Sequence, residues 1–144
     1  MNVGIYCNEK YLPDNLRYVR YIKERLSDYG ISCSAVRSRE ELDGINLLMV
    51  LGGDGTILTV AADCARRGIK IMGINYGHMG FLAEFEQEKL DEAITLLCDG
   101  NYLTEKRSML DVEIGGKSCL ALNDVVIQRN TYGKKYSNTI SLTA

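Results

Sequence analysis

The run Leu47–Leu51, Leu-Leu-Met-Val-Leu, leads directly into Gly52-Gly53-Asp54-Gly55-Thr56, and this junction limits the fold more than any other stretch. Five apolar residues without polar alternation suit a strand buried on both faces, as in a parallel sheet. Three glycines within four positions are entropically costly to order, so they mark a backbone that needs unusual dihedrals or close approach to a neighbour. A tight Asp-Gly hairpin turn is the simplest account. The residues that follow argue against it. From Thr56, apolar Ile57, Ala61, Cys64 and Ala65 fall on one helical face, and Gly68 closes the segment. Strand, glycine loop and helix in that order make a ligand loop at the carboxyl end of a strand.

The flanking sequence supports the same class. Val3–Tyr6 reads as a short first strand. Beyond Pro13 and Asp14, apolar Leu16, Val19, Ile22 and Leu26 predict a helix that stops before Gly30. Residues 31–36 form a second strand pattern, and Ser38–Gly44 a short helical or loop connection. Ile69–Asn75 is another strand, and Leu90, Ile94 and Leu97 mark a third helix before Gly100. The alternation predicts an α/β fold, an open, mostly parallel Rossmann-like sheet with helices on both faces.

After Gly100 the texture changes. Two strand-like runs surround Gly115–Gly116 as a β-hairpin, and a further strand begins near the last residues. The expected organisation is therefore an α/β domain over 1–100 and the first strands of an incomplete, truncated all-β domain over 101–144. Unpaired edges there predict a homo-oligomer or aggregates built through residues after Gly100.

Charge and cysteine usage exclude several classes. A net charge of −2 gives no reason to expect a nucleic-acid partner or an acidic membrane surface. No apolar stretch approaches the ~20 residues of a membrane span. The five cysteines are scattered, odd in number and never paired as Cys-x-x-Cys, which points to reduced thiols in the cytoplasm. One histidine, His78, leaves no basis for a histidine metal site.

The glycine loop is neither common phosphate fingerprint. Leu58 stands where a Gly-x-Gly-x-x-Gly would end, and "GGKS" at Gly115–Ser118 has Asp111 in place of the first P-loop glycine. Glycines nevertheless let backbone N–H groups approach phosphate oxygens, and the next helix adds its dipole. Asp54 would repel phosphates unless it has a task of its own. It either holds Mg²⁺ with the phosphates or takes a proton from an attacking hydroxyl. Both belong to phosphoryl transfer.

Three blocks, "GGDGT" at Gly52–Thr56, "GINYGHMGFLAEF" at Gly73–Phe85 and "ALNDVVIQR" at Ala121–Arg129, resemble the NAD kinase (ATP-NAD kinase) family in order and spacing. That family phosphorylates the 2′-hydroxyl of the adenosine ribose of NAD to give NADP, using ATP (polyphosphate in some members) and a divalent cation such as Mg²⁺. The resemblance implies that Asp54 is the general base and a dinucleotide contact together with Gly55. Gly52, Gly53, Gly55 and Thr56 would form the phosphate loop. Leu58 and Phe81 match positions beside the adenosine end of NAD, where plain core packing is the competing account. Asn123 and Asp124 match an Asn-Glu pair that contacts the dinucleotide. Asp for Glu removes one methylene, roughly 1.3–1.5 Å of reach, half a hydrogen-bond length. His78 reads as loop packing, Tyr76 and Tyr132 carry no assignment, and the basic Tyr132–Lys135 segment reads as a solvated loop.

The family's later Ser-Thr-Pro-x-Gly-Ser-Thr-Ala-Tyr segment is absent from these 144 residues. The isolated chain is therefore expected to show little activity. The alternatives are a non-catalytic or nucleotide-binding-only domain and a lipid kinase of the diacylglycerol or sphingosine type, whose usual Gly-Thr-x-Asn-Asp block is missing here.

Overall fold

Strands β1 (Asn2–Cys7), β2 (Ser32–Val36), β3 (Leu47–Leu51), β4 (Lys70–Asn75) and the two-residue β5 (Phe85–Glu86) run parallel, in the order β2-β1-β3-β4-β5. These coordinates are a computed structural model that describes residues 1–8, 12–76, 80–126 and 140–143. His78, Tyr132 and the segment 132–135 lie outside the described residues.

The apolar run that opens the sequence argument is the middle strand. All five residues of β3 are buried, and they serve two faces in alternation. Leu47, Met49 and Leu51 pack with Val3 and Ile5 of β1. Above them lie Ile22 and Leu26 of α1 (Leu12–Asp28) and Ile94 and Leu97 of α3 (Leu90–Cys98). Leu48 and Val50 face the other way, against Ile57, Val60 and Cys64 of α2 (Asp54–Arg67). The helices therefore cover both faces, as the unalternating run requires.

The chain steps outward from β1 to β2, then returns to β3 on the other side of β1 and continues to β4 and β5. The direction reverses between β1 and β3. Right-handed crossovers with that reversal put α1 and α2 on opposite faces, and they open a crevice at the carboxyl ends of β1 and β3. Buried Asp63 on α2 meets Arg39 at 3.1 Å, Arg67 at 3.7 Å and Arg66 at 3.9 Å, and Arg67 also reaches Asp43 at 3.1 Å. These pairs fasten the β2–β3 connection, with its single 3-10 turn at Glu40–Leu42, to α2.

Two details differ from the sequence reading. Helix α2 begins at Asp54, ahead of the first apolar position, because Gly53 takes the extended N-cap conformation and a carboxylate suits the first turn. Strand β5 has no counterpart in the prediction, since two residues carry no period.

Residues Met1–Thr104 form one compact unit and Glu105–Ala144 a second. In the second unit β6 (Leu110–Ile114) pairs antiparallel with β7 (Lys117–Ala121) and with β8 (Ile140–Thr143). Gly115 and Gly116 have φ of 57° and 74°, both in the region a two-residue type I′ hairpin demands. Val112 of β6 is fully buried.

Candidate functional site

The loop after β3 is built around close approach. Gly52 has φ of 154°, and its N–H donates to the Ile74 carbonyl of β4 at 2.9 Å. A Cβ at Gly52 would stand 2.8 Å from Cβ of Thr56, whose buried side chain fills the space beneath the turn. Gly53 caps α2 with its carbonyl, which accepts the N–H of Thr56 at 2.9 Å and of Ile57 at 3.3 Å. The N–H groups of Gly53, Asp54 and Gly55 have no recorded partner among the described residues. A Cβ at Gly55 would meet nothing within 4 Å. The first turn of α2 thus presents unpaired donors on an open face, an arrangement that suits a phosphate or another anion.

Asp54 does something the sequence does not announce. Its Oδ2 accepts the N–H of Phe81 at 2.9 Å, and its Oδ1 accepts the N–H of Leu82 at 3.0 Å. Gly80 makes this possible, since a Cβ there would overlap the carboxylate, 2.6 Å from its carbon. A carboxylate accepts about four hydrogen bonds, so two acceptor positions remain for a ligand. The segment 80–86 is fastened twice more. Glu84 Oε2 accepts the Gly73 N–H at 3.2 Å, and β5 pairs with the end of β4. Sequence reasoning misses the Asp54 clasp because the donors are main-chain groups that any residue supplies. The only signal is Gly80 itself.

Around the clasp, Phe81 is 94% exposed and Leu58, one helical turn beyond Asp54, is 37% exposed. Neither is core within this unit. Asn75, at the carboxyl end of β4, was not singled out from the sequence. It is buried, and its Oδ1 would lie 3.9 Å from a Cβ on Gly53. A polar residue closing an otherwise apolar strand is the signal that could have found it. Tyr76 follows, its ring edge-on to Tyr18 with centroids 4.6 Å apart. Burial pushes its phenol pKa well up, and its buried hydroxyl has no partner among the described residues.

The first unit therefore brings Gly52, Gly53, Asp54, Gly55 and Thr56 together with the Phe81 backbone. Asn123 and Asp124 are exposed just past β7, in the second unit. Among the described residues no group of three or more His, Cys, Asp or Glu side chains is placed to hold a metal. No helix among the described residues is long and apolar enough to cross a membrane.

Residues 7–102 match the family described as "ATP-NAD kinase N-terminal domain". An NAD kinase of Clostridium botulinum (strain Kyoto / Type A2) is 40% identical over 148 residues, covering 94% of this chain and 53% of that protein. An NAD kinase of Neisseria meningitidis serogroup C is 37% identical over 109 residues, 72% of this chain and 37% of the relative. The chain spans about half the length of the first of these and less of the second. Two solved structures share the fold at a TM-score of 0.62. One is an NAD kinase from Archaeoglobus fulgidus in complex with ATP, 23% identical over 85% of this chain and 46% of that one. The other is yeast NADH kinase complexed with NADH, 15% identical over 84% of this chain and 46% of its own.

Proposed function

The chain belongs to the ATP-NAD kinase family, and from that premise we propose that the protein it belongs to transfers the terminal phosphoryl group of ATP, or of polyphosphate, to the 2′-hydroxyl of the adenosine ribose of NAD, giving NADP. The observation that carries this reading is the Asp54 carboxylate, fixed at both oxygens by the Phe81 and Leu82 amides beside an open helix N-terminus.

The chemistry follows from that placement. The ribose hydroxyl approaches a free acceptor position on Asp54 and gives up its proton as its oxygen bonds to the terminal phosphorus. The bond from that phosphorus to the bridging oxygen breaks, and ADP or a shortened polyphosphate leaves. The unpaired amides of Gly53, Asp54 and Gly55 face the oxygens on which charge builds. A divalent cation carried by the donor phosphates would neutralise part of their charge. Exposed Phe81 and Leu58 offer apolar surface to the adenosine end of NAD, and the family resemblance makes Asn123 and Asp124 further candidate contacts to the dinucleotide.

All five cysteines are free thiols, in keeping with a cytoplasmic enzyme. Outer strands β7 and β8 of the three-stranded sheet offer edges for a homo-oligomer, and the 144-residue chain alone is proposed to turn over little substrate. The test is a coupled assay for NADP on the full-length protein, with and without divalent cation. Cation-dependent NADP formation is expected. Its absence with folded protein, NAD and either donor would leave a binding-only domain as the better reading.

A further inference from the structure

The two hydrogen bonds that hold Asp54 come from a short strap, residues 80–86, which runs from Gly80 to the end of β5. Among the described residues the carboxylate has no ion pair and no other hydrogen bond. The Phe81 and Leu82 amides therefore set its direction, and whatever holds the strap holds the carboxylate.

The strap has little backbone pairing of its own. Its ladder with β4 is two residues long, Phe85 opposite Ile74 and Glu86 opposite Asn75. Backbone groups alternate sides along a strand. Ile74 turns its carbonyl to Gly52 on the β3 side, so Gly73 turns its N–H toward the β5 side. That N–H lies one residue before the ladder begins, where the strap has already left the sheet to reach Asp54. The Glu84 side chain fills the gap. Its Oε2 accepts the Gly73 N–H at 3.2 Å, in the place that a carbonyl of a longer β5 would take.

Close packing marks the same point. A Cβ on buried Gly73 would stand 2.9 Å from Cα of Ala83 and 2.7 Å from Cδ1 of Ile57 on α2. Strap, β4 and α2 thus meet at Gly73, and the strap passes close at two glycines, Gly73 and Gly80. Glu84 is exposed and forms no ion pair among the described residues, where the Gly73 N–H is its one partner. A carboxylate on a main-chain donor makes a stronger bond than a neutral acceptor.

We propose that Glu84 is a positioning residue for the phosphoryl transfer. Through the strap it fixes the direction of the Asp54 carboxylate toward the acceptor hydroxyl, and it touches neither substrate. The inference rests on the kinase reading above and adds a residue to that site. Geometry gives it leverage, because a misplacement of about 1 Å in a reacting group costs on the order of 10²-fold in rate.

Three full-length variants test it. Glu84→Ala removes the acceptor, Glu84→Gln keeps an oxygen there, and Glu88→Ala is an exposed control on the 3-10 turn Gln87–Lys89 that follows. Hydrogen exchange at the Phe81 and Leu82 amides should quicken at least ~10-fold in Glu84→Ala and stay near the parent rate in Glu84→Gln. The kcat for NADP formation should fall roughly tenfold in Glu84→Ala while the KM for ATP stays within about twofold, since only the acceptor side is disturbed. Glu84→Gln should recover most of the turnover, and Glu88→Ala should match the parent in both measurements. The Asp54→Asn background then separates positioning from plain stability. A residue that acts through Asp54 has little left to lose there, whereas a separate structural effect costs the same factor again. Unchanged exchange in Glu84→Ala, parent-like turnover despite faster exchange, or an equal loss in both backgrounds would overturn the proposal. Failure of the kinase reading looks different. A parent protein that makes no NADP removes the catalytic role, while the exchange rates still decide whether Glu84 holds the strap.

Discussion

On the proposed reading Asp54 carries two jobs on one carboxylate, and its substitution separates them poorly. Asp54→Asn removes the proton acceptor, so turnover in the full-length protein should fall at least ~10²-fold, the scale of general-base loss. The amide also turns an NH₂ toward the Phe81 or Leu82 N–H, where an oxygen accepts now. The KM for NAD is therefore expected to rise as well, a result that steady-state kinetics alongside circular dichroism would read. Wild-type turnover in folded variant would remove the base from the mechanism. Asp124→Ala should raise the KM for NAD more than that for ATP, and unchanged constants would make the Asn123–Asp124 pair a plain strand ending. Much of this site was legible in the sequence. The run Gly52–Thr56 declares a loop because its glycines interrupt two apolar patterns. The clasp was not legible, because hydrogen bonds from the main chain leave no mark on residue identity. Nor was the exposure of Phe81, since an aromatic residue beside Leu82 reads equally well as core.

Among the elements, the strands and helices with a full period were readable and the short ones were not. Leu47–Leu51 predicts its own burial, and α1 and α3 are written at helical spacing. Strand β5 exists because Asp54 and Glu84 hold the preceding segment against β4, a tertiary cause that two residues cannot encode. Two glycine substitutions distinguish fold from function here. Gly80→Ala should push the segment off Asp54, and hydrogen exchange at the Phe81 and Leu82 amides should quicken by at least ~10-fold as those bonds open. Unchanged exchange would mean that the clasp does not hold in solution. Gly55→Ala should do the opposite. Its Cβ enters empty space within α2, so stability should hold or rise by up to about 1 kcal/mol, while activity falls as phosphate loses its approach. A fully active Gly55→Ala protein would show that nothing needs that open face.

At the scale of the molecule, the thiols set a pH limit. Burial pushes Cys33 and Cys64 up to about 11 from an ordinary value of 9, and raises Cys7 and Cys98 as well. Below pH 9 these groups are protonated in both folded and unfolded chains and contribute fully. Above it the unfolded chain ionises first and holds fewer protons than the native one, so stability falls with rising pH. The urea midpoint should therefore decline between pH 9 and 11, and a flat profile over that window would contradict the burial of these thiols. Residues 1–104 enclose both apolar clusters around the five-stranded sheet, and they should fold without the second unit. A cooperative thermal transition of that piece checks this. The isolated 144 residues should give little NADP, and substantial turnover would show that residues found only in longer relatives are dispensable.

The clasp at Asp54 also bears on how such a chain can change by descent. If Asp54 is the proposed base, chemistry and architecture share a single codon there, so selection for either one preserves the other. A lineage that abandoned phosphoryl transfer would still keep the acid, because losing it releases the segment that follows Gly80. Retention of that aspartate in a distant homologue is therefore a poor witness to living activity. The glycine at position 55 is the better one, since the fold has no need of it and drift would fill the gap.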